Sequence, residues 1–120
     1  GRVSKSEALA EIERILKSVT VPDHAKCARD ACVNALRWAG WTCRTEVRVS
    51  TRGDHRAGFV DIEATKGETV AGIEVDNRNP RAKSAIKLQC KPWLKVIATR
   101  GVPVIQIREI DLHVALRVLR

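Results

Sequence analysis

Apolar positions along the chain recur with two different periods. Leu9, Ile12, Leu16 and Val19 form one stripe at helical spacing; Ser4 or Ser6 can cap this helix, and Glu7 sits in its first turn. Val21-Pro22-Asp23 interrupts the stripe. Asp23 then stands where a second helix would be capped, with Ala28, Ala31, Cys32, Ala35, Leu36 and Ala39 inward and Gly40 at its end. From residue 41 the period becomes two, the mark of strands. In 41–49, Cys43, Thr45, Val47 and Val49 face one way and Arg44, Glu46 and Arg48 the other. In 58–65, Val60, Ile62 and Ala64 alternate with Phe59, Asp61 and Glu63. In 69–76, Ala71, Ile73 and Val75 alternate with Gly72, Glu74 and Asp76. The polar run 50–57 and Lys66-Gly67-Glu68 supply the turns between them.

Asn79-Pro80 opens a third helix, in which Lys83, Lys87 and Lys91 fall four apart and make a basic ridge. Pro92 kinks or restarts it. Residues 93–100 are read as its continuation to Gly101, with a strand as the alternative. Residues 102–108 read as a strand, and 109–120 as a final helix with Leu112, Ala115, Leu116 and Leu119 inward. The order α-α-β-β-β-α-β-α places the chain in the α/β class, as a small mixed sheet flanked by helices. A single domain is expected over 1–120, with an N-terminal helix in 1–20, a core over 24–108 and a C-terminal helix over 109–120.

Composition narrows the function classes. A length of 120 residues with 44% hydrophobic content suits one globular domain rather than a disordered chain. One Phe, three Trp and no Tyr are too few for a single-strand stacking platform, so Trp38, Trp41 and Trp93 are read as packing residues. No apolar run approaches the ~20 residues of a membrane span, so no membrane partner is expected. The N-terminal segment is charged and does not read as a secretory signal. Cys27, Cys32, Cys43 and Cys90 contain no CxxC pair. They read as small apolar residues in a reducing cytoplasm.

Charge is unevenly placed. Residues 1–76 hold 12 Lys/Arg against 12 Asp/Glu, whereas residues 77–120 hold 10 against 2 and so carry the whole net +8. Such a block favours a polyanion, nucleic acid first, or else forms a solvated basic surface. The acids just before it bear on that choice. Asp61 and Glu63 lie on one strand of a hairpin, Glu74 and Asp76 on the other. If these faces coincide, the carboxylates repel one another unless a cation neutralises them. A hard divalent ion with oxygen ligands, Mg²⁺ or Mn²⁺, suits such a cluster and supports phosphodiester hydrolysis. A hairpin with one solvated face is the alternative.

Three segments carry a resemblance. Gly58-Phe59-Val60-Asp61-Ile62-Glu63-Ala64, Ile73-Glu74-Val75-Asp76 and the Lys-rich helix after them resemble the PD-(D/E)xK nuclease superfamily. Ala39-Gly40-Trp41-Thr42-Cys43-Arg44 is similar to the helix end and first strand of Holliday-junction resolvase-type members. Gly101-Val102-Pro103-Val104-Ile105 resembles the last core strand. The resemblance covers about residues 24–108. It implies a restriction-endonuclease-like α-β-β-β-α-β core and metal-dependent cleavage of DNA, with Asp61 and Glu74 as metal ligands. Val60 replaces the usual Pro. Asp76 stands where the family carries its catalytic Lys, as in very-short-patch-repair-like members, which carry an acid there.

Under this resemblance Asp76 is a candidate base or third ligand. Lys83 or Lys87 would supply the missing cation from the helix, with Lys83 nearer the strand end. Candidate nucleic-acid contacts are Arg52, Arg56, Arg78, Arg81, Lys83, Lys87 and Lys91. Glu7 and Glu11 are candidates for the family's early-helix Glu, and Glu63, His55 and Asn77 are further candidates. The expected function is a Mg²⁺- or Mn²⁺-dependent DNA endonuclease, structure-specific or part of a repair or mobile-element system. A homodimer or a partner protein would help position the DNA. The alternatives are an inactive nuclease-like DNA-binding module and a small protein-interaction subunit.

Overall fold

The computed structural model describes residues 3–50, 57–101, 107 and 109–119. Helix α1 (Lys5–Lys17) begins at Ser4, whose Oγ accepts the Glu7 N–H at 3.1 Å while donating to the Glu7 carboxylate. This reciprocal cap satisfies the helix start and occupies Glu7 there. A two-residue strand, β1 (Thr20–Val21), follows. Helix α2 (Ala25–Trp38) is preceded by His24 at the cap position, not Asp23. Asp23 instead accepts from Arg100 at 3.0 Å. Then come β2 (Thr42–Ser50), β3 (Ala57–Lys66), β4 (Thr69–Asp76), α3 (Ala82–Leu88), β5 (Leu94–Arg100) and β6 (Leu112–Val118).

The strands form one six-stranded mixed sheet in the order β1-β6-β5-β4-β3-β2. Strands β2, β3 and β4 are an antiparallel meander, whereas β5 is parallel to β4, β6 to β5 and β1 to β6. Two cores lie on opposite faces. The larger joins Ile12 and Leu16 of α1 and Cys32 and Leu36 of α2 to Ile62, Ile73, Val96, Val114 and Leu116. The smaller joins Leu88 of α3 and Trp93 to Val47, Val49, Val60 and Ile97. The chain is therefore an α/β sandwich, as the sequence pattern implies. Among the described residues, no helix is long and apolar enough to cross a membrane.

Two elements expected from the sequence are overturned. Residues 94–100 are strand β5, not a continued helix. Val96, Ile97 and Thr99 are β-branched, and both faces of the strand are buried, as in a parallel strand inside a sheet. The C-terminal helix is replaced by β6. Leu112, Val114, Leu116 and Val118 alternate and all pack into the larger core, so the period of two prevails over the helical spacing of Leu112, Ala115, Leu116 and Leu119. The strand expected at 102–108 falls mostly outside the described residues; β5 takes the place after α3. Trp38 is also corrected: it is 94% exposed, while Trp41 and Trp93 are buried.

Strands β2 and β3 change faces halfway. Cys43 and Ile62 belong to the larger core, but Val47 and Val60 belong to the smaller. The ladder pairs Thr45 with Ile62 and Val47 with Val60, and Glu46 and Asp61 lie between these pairs. Glu46 takes φ +54°, an unfavourable region for a residue with a Cβ, and Arg29 of α2 grips its carboxylate at 2.6 Å. The break places Asp61 at the turning point of the sheet.

Candidate active site

The face switch sets Asp61 beside Glu74. The pairing of β3 with β4 runs up to Ile62 opposite Ile73, and the next residues along are Asp61 and Glu74. The Asp61 N–H donates to Glu74 Oε2 at 3.3 Å, and the Val75 N–H donates to Asp61 Oδ2 at 2.8 Å. Glu74 is 1% exposed. Burial pushes its carboxyl up to about 8, reinforced by a side-chain hydrogen bond with Asp61 and by the Asp61 charge, against the opposing pull of Lys87. Glu74 is therefore much harder to ionise near neutral pH than an ordinary carboxyl.

Lys87 completes the cluster. It lies on the buried face of α3, and its Nζ sits 2.5 Å from Glu74 Oε1 and donates to the Phe59 carbonyl at 3.0 Å. Glu74 Oε1 is buried and accepts no well-aligned hydrogen bond. Together Asp61 and Glu74 present two neighbouring carboxylates, the donor type that a hard divalent cation takes. Mg²⁺ is commonly held by one or two carboxylates, with water and substrate oxygens completing its shell. Among the described residues, no group of three or more acids, His or Cys converges.

Asp76 does not join the pair, contrary to its candidacy as a third ligand. Its Oδ2 accepts the Arg81 N–H at 2.8 Å, and its Oδ1 accepts Ser84 Oγ–H at 2.8 Å and lies 3.4 Å from Arg81 Nε. Its carboxylate is thus fully engaged at the start of α3. The basic ridge is also absent. The helix ends at Leu88, so Lys83 and Lys87 lie on it but Lys91 does not. Lys87 is turned inward, Lys83 is exposed and Lys91 stands over the Trp93 ring at 5.3 Å. Of the two helix lysines, the one at the acids is Lys87. Lys87 shares the sheet-facing side of α3 with Ser84 and Leu88, both buried.

The remaining candidates have other partners. Glu11 accepts from Lys66 at 2.6 Å and from Trp41 at 3.0 Å, and the Lys66 hydrogen bond holds its carboxyl below the usual carboxylate range. Glu63 accepts from Trp93 Nε1 at 3.2 Å and pairs with Arg44. Asn77 accepts from Arg100 through both its side-chain and main-chain oxygens. Arg78 is exposed beside Gly101. Arg52, His55 and Arg56 lie outside the described residues. Sequence reasoning missed Ser84, whose place three residues before Lys87 on one helix face was the available signal. Cys32 lies near the site, and burial, followed by the Asp61 charge, pushes its thiol up to about 12, so it is no thiolate nucleophile.

No protein-family model and no curated protein matches this chain.

Proposed function

We propose that the chain is a divalent-cation-dependent DNA endonuclease with a restriction-endonuclease-like core. The carrying observation is the Asp61–Glu74 pair with the Lys87 ammonium 2.5 Å from Glu74. The element order α2-β2-β3-β4-α3-β5 agrees with the core that the sequence resemblance implies. Asp61 and Glu74 would hold Mg²⁺ or Mn²⁺, which when bound supplies charge stabilisation and a more acidic water for phosphodiester hydrolysis. Lys87 takes the part of the strand lysine that Asp76 replaces. Its three N–H donors can orient an attacking water and stabilise charge on the phosphate. Arg48, Arg78, Lys83 and Lys91 are exposed and supply cations for the backbone on either side.

The test is incubation of the purified protein with branched, mismatched and plain duplex DNA in Mg²⁺ or Mn²⁺. Wild type should cut at least one substrate, and D61N, E74Q and K87M should each lose about 100-fold or more in kcat. A wild-type protein that cuts none of them, over either metal, rejects the reading. Salt-dependent binding without cutting would then identify a DNA-binding module.

A further inference from the structure

We propose that Asp76 and Ser84 are positioning residues that set Lys87 against Glu74. This rests on the nuclease reading of the site. Positions 72, 74 and 76 of β4 share one face of the sheet, about 6.6 Å apart in pairs. On the buried side of α3, position 84 lies about one turn, roughly 5.4 Å, from 87 and 88, which flank each other. The two rows meet in three rungs. Ser84 Oγ donates to Asp76 Oδ1 at 2.8 Å, Lys87 Nζ lies 2.5 Å from Glu74 Oε1, and Leu88 packs over Gly72. A Cβ on Gly72 would lie 3.0 Å from Leu88 Cδ2 and 2.7 Å from Trp93 Cδ2, so the Trp93 ring beside this rung leaves no room for one.

The middle rung is thus fixed from both sides. The Asp76–Ser84 rung is dry, with the two residues 2% and 0% exposed, so its hydrogen bond does not exchange with solvent. Helix α3 has only 7 residues, and its cap position, Arg81, makes no side-chain capping bond. Asp76 supplies the missing tie through the Arg81 N–H and the Ser84 hydroxyl. A lysine at position 76 would abolish that tie. The acid on the strand and the ammonium on the helix therefore act together: Asp76 anchors the helix that presents Lys87 to Glu74.

The experiment uses the whole chain carrying S84A or D76N, and S84A decides if D76N does not fold. In the metal-free protein, the NMR cross-peak between the Lys87 ε and Glu74 γ protons should weaken at least about threefold, while Cα shifts keep α3 helical. An undiminished cross-peak overturns the proposal. In cleavage assays S84A should lower kcat about tenfold, with KM for DNA within about twofold, and should have almost no effect when added to K87M. A loss by the same factor in both backgrounds marks a merely structural role and also overturns it. If wild type cuts no DNA, the nuclease reading fails by itself, and the cross-peak still decides whether Asp76 and Ser84 place Lys87.

Discussion

Glu74 has a carboxylate and an ammonium for neighbours and almost no water. Its carboxyl keeps a proton up to about pH 8 in the folded chain, against an ordinary 4.5. Between those values the folded state binds more protons than the unfolded state, so this group's contribution to stability falls as pH rises from about 4.5 to about 8. E74Q should remove that slope. Urea unfolding at pH 5 and pH 8 should show wild type losing on the order of 3 kcal/mol relative to E74Q across the range. Equal pH slopes in the two proteins would count against the buried pair. Mg²⁺ needs the ionised carboxylate, so its affinity should rise toward pH 8 and its binding should release a proton. Titration calorimetry in two buffers of different ionisation enthalpy measures that proton. Asp61 and Glu74 were legible in the sequence because both stand on the polar side of an alternating strand. Asp76 has the same parity as Glu74, yet its partners come from the turn and helix beyond it, and strand alternation carries no information about those.

At the scale of elements, the alternating hairpin and the first two helices were readable because each has a face that meets water and a face that does not. Strand β5 is covered on both faces, so its apolar run lost the alternation that would have marked it. Strand β6 was ambiguous for another reason: the same seven residues satisfy a period of two and one turn of helix, and packing against α1 and β5 decides between them. The docking of α3 makes a sharp prediction at Gly72. A methyl group there would lie 2.7 Å from Trp93 Cδ2 and 3.0 Å from Leu88 Cδ2. G72A should therefore destabilise the protein by about 1–3 kcal/mol or more through overpacking. That corresponds to a fall of roughly 4 °C in Tm per kcal/mol for a chain of this size. A thermal melt of G72A within 1 or 2 °C of wild type, on the order of measurement error, would show that α3 sits more loosely than the rungs imply.

Over the whole molecule, the formal +8 does not say which cations stand free. Lys87, Arg81 and Arg100 are matched to Glu74, Asp76 and Asp23, and Lys66 to Glu11. What remains for a polyanion is a set of separate exposed cations rather than a ridge. Changing Arg48, Lys83 and Lys91 to Gln should reduce the slope of log K against log salt by about 2–3, roughly 0.9 for each phosphate no longer neutralised. E74Q should leave that slope unchanged. Anisotropy titrations of a labelled duplex across a salt series measure both, and an unchanged slope in the triple variant would place the DNA elsewhere. The layered α/β architecture was apparent from the two periodicities, but the available charge was not. Formal charge counts residues, whereas pairing depends on which of them the fold brings together.

Trp93 lies over Gly72 beneath the end of α3, and its indole N–H is held by Glu63. The chain has no tyrosine, and Trp38 is open to any quencher in solution. A protein carrying W38F and W41F would therefore emit light from the α3 face alone. The colour and polarisation of that emission would follow the seating of α3 in real time, with no added dye, in the presence or absence of metal and DNA.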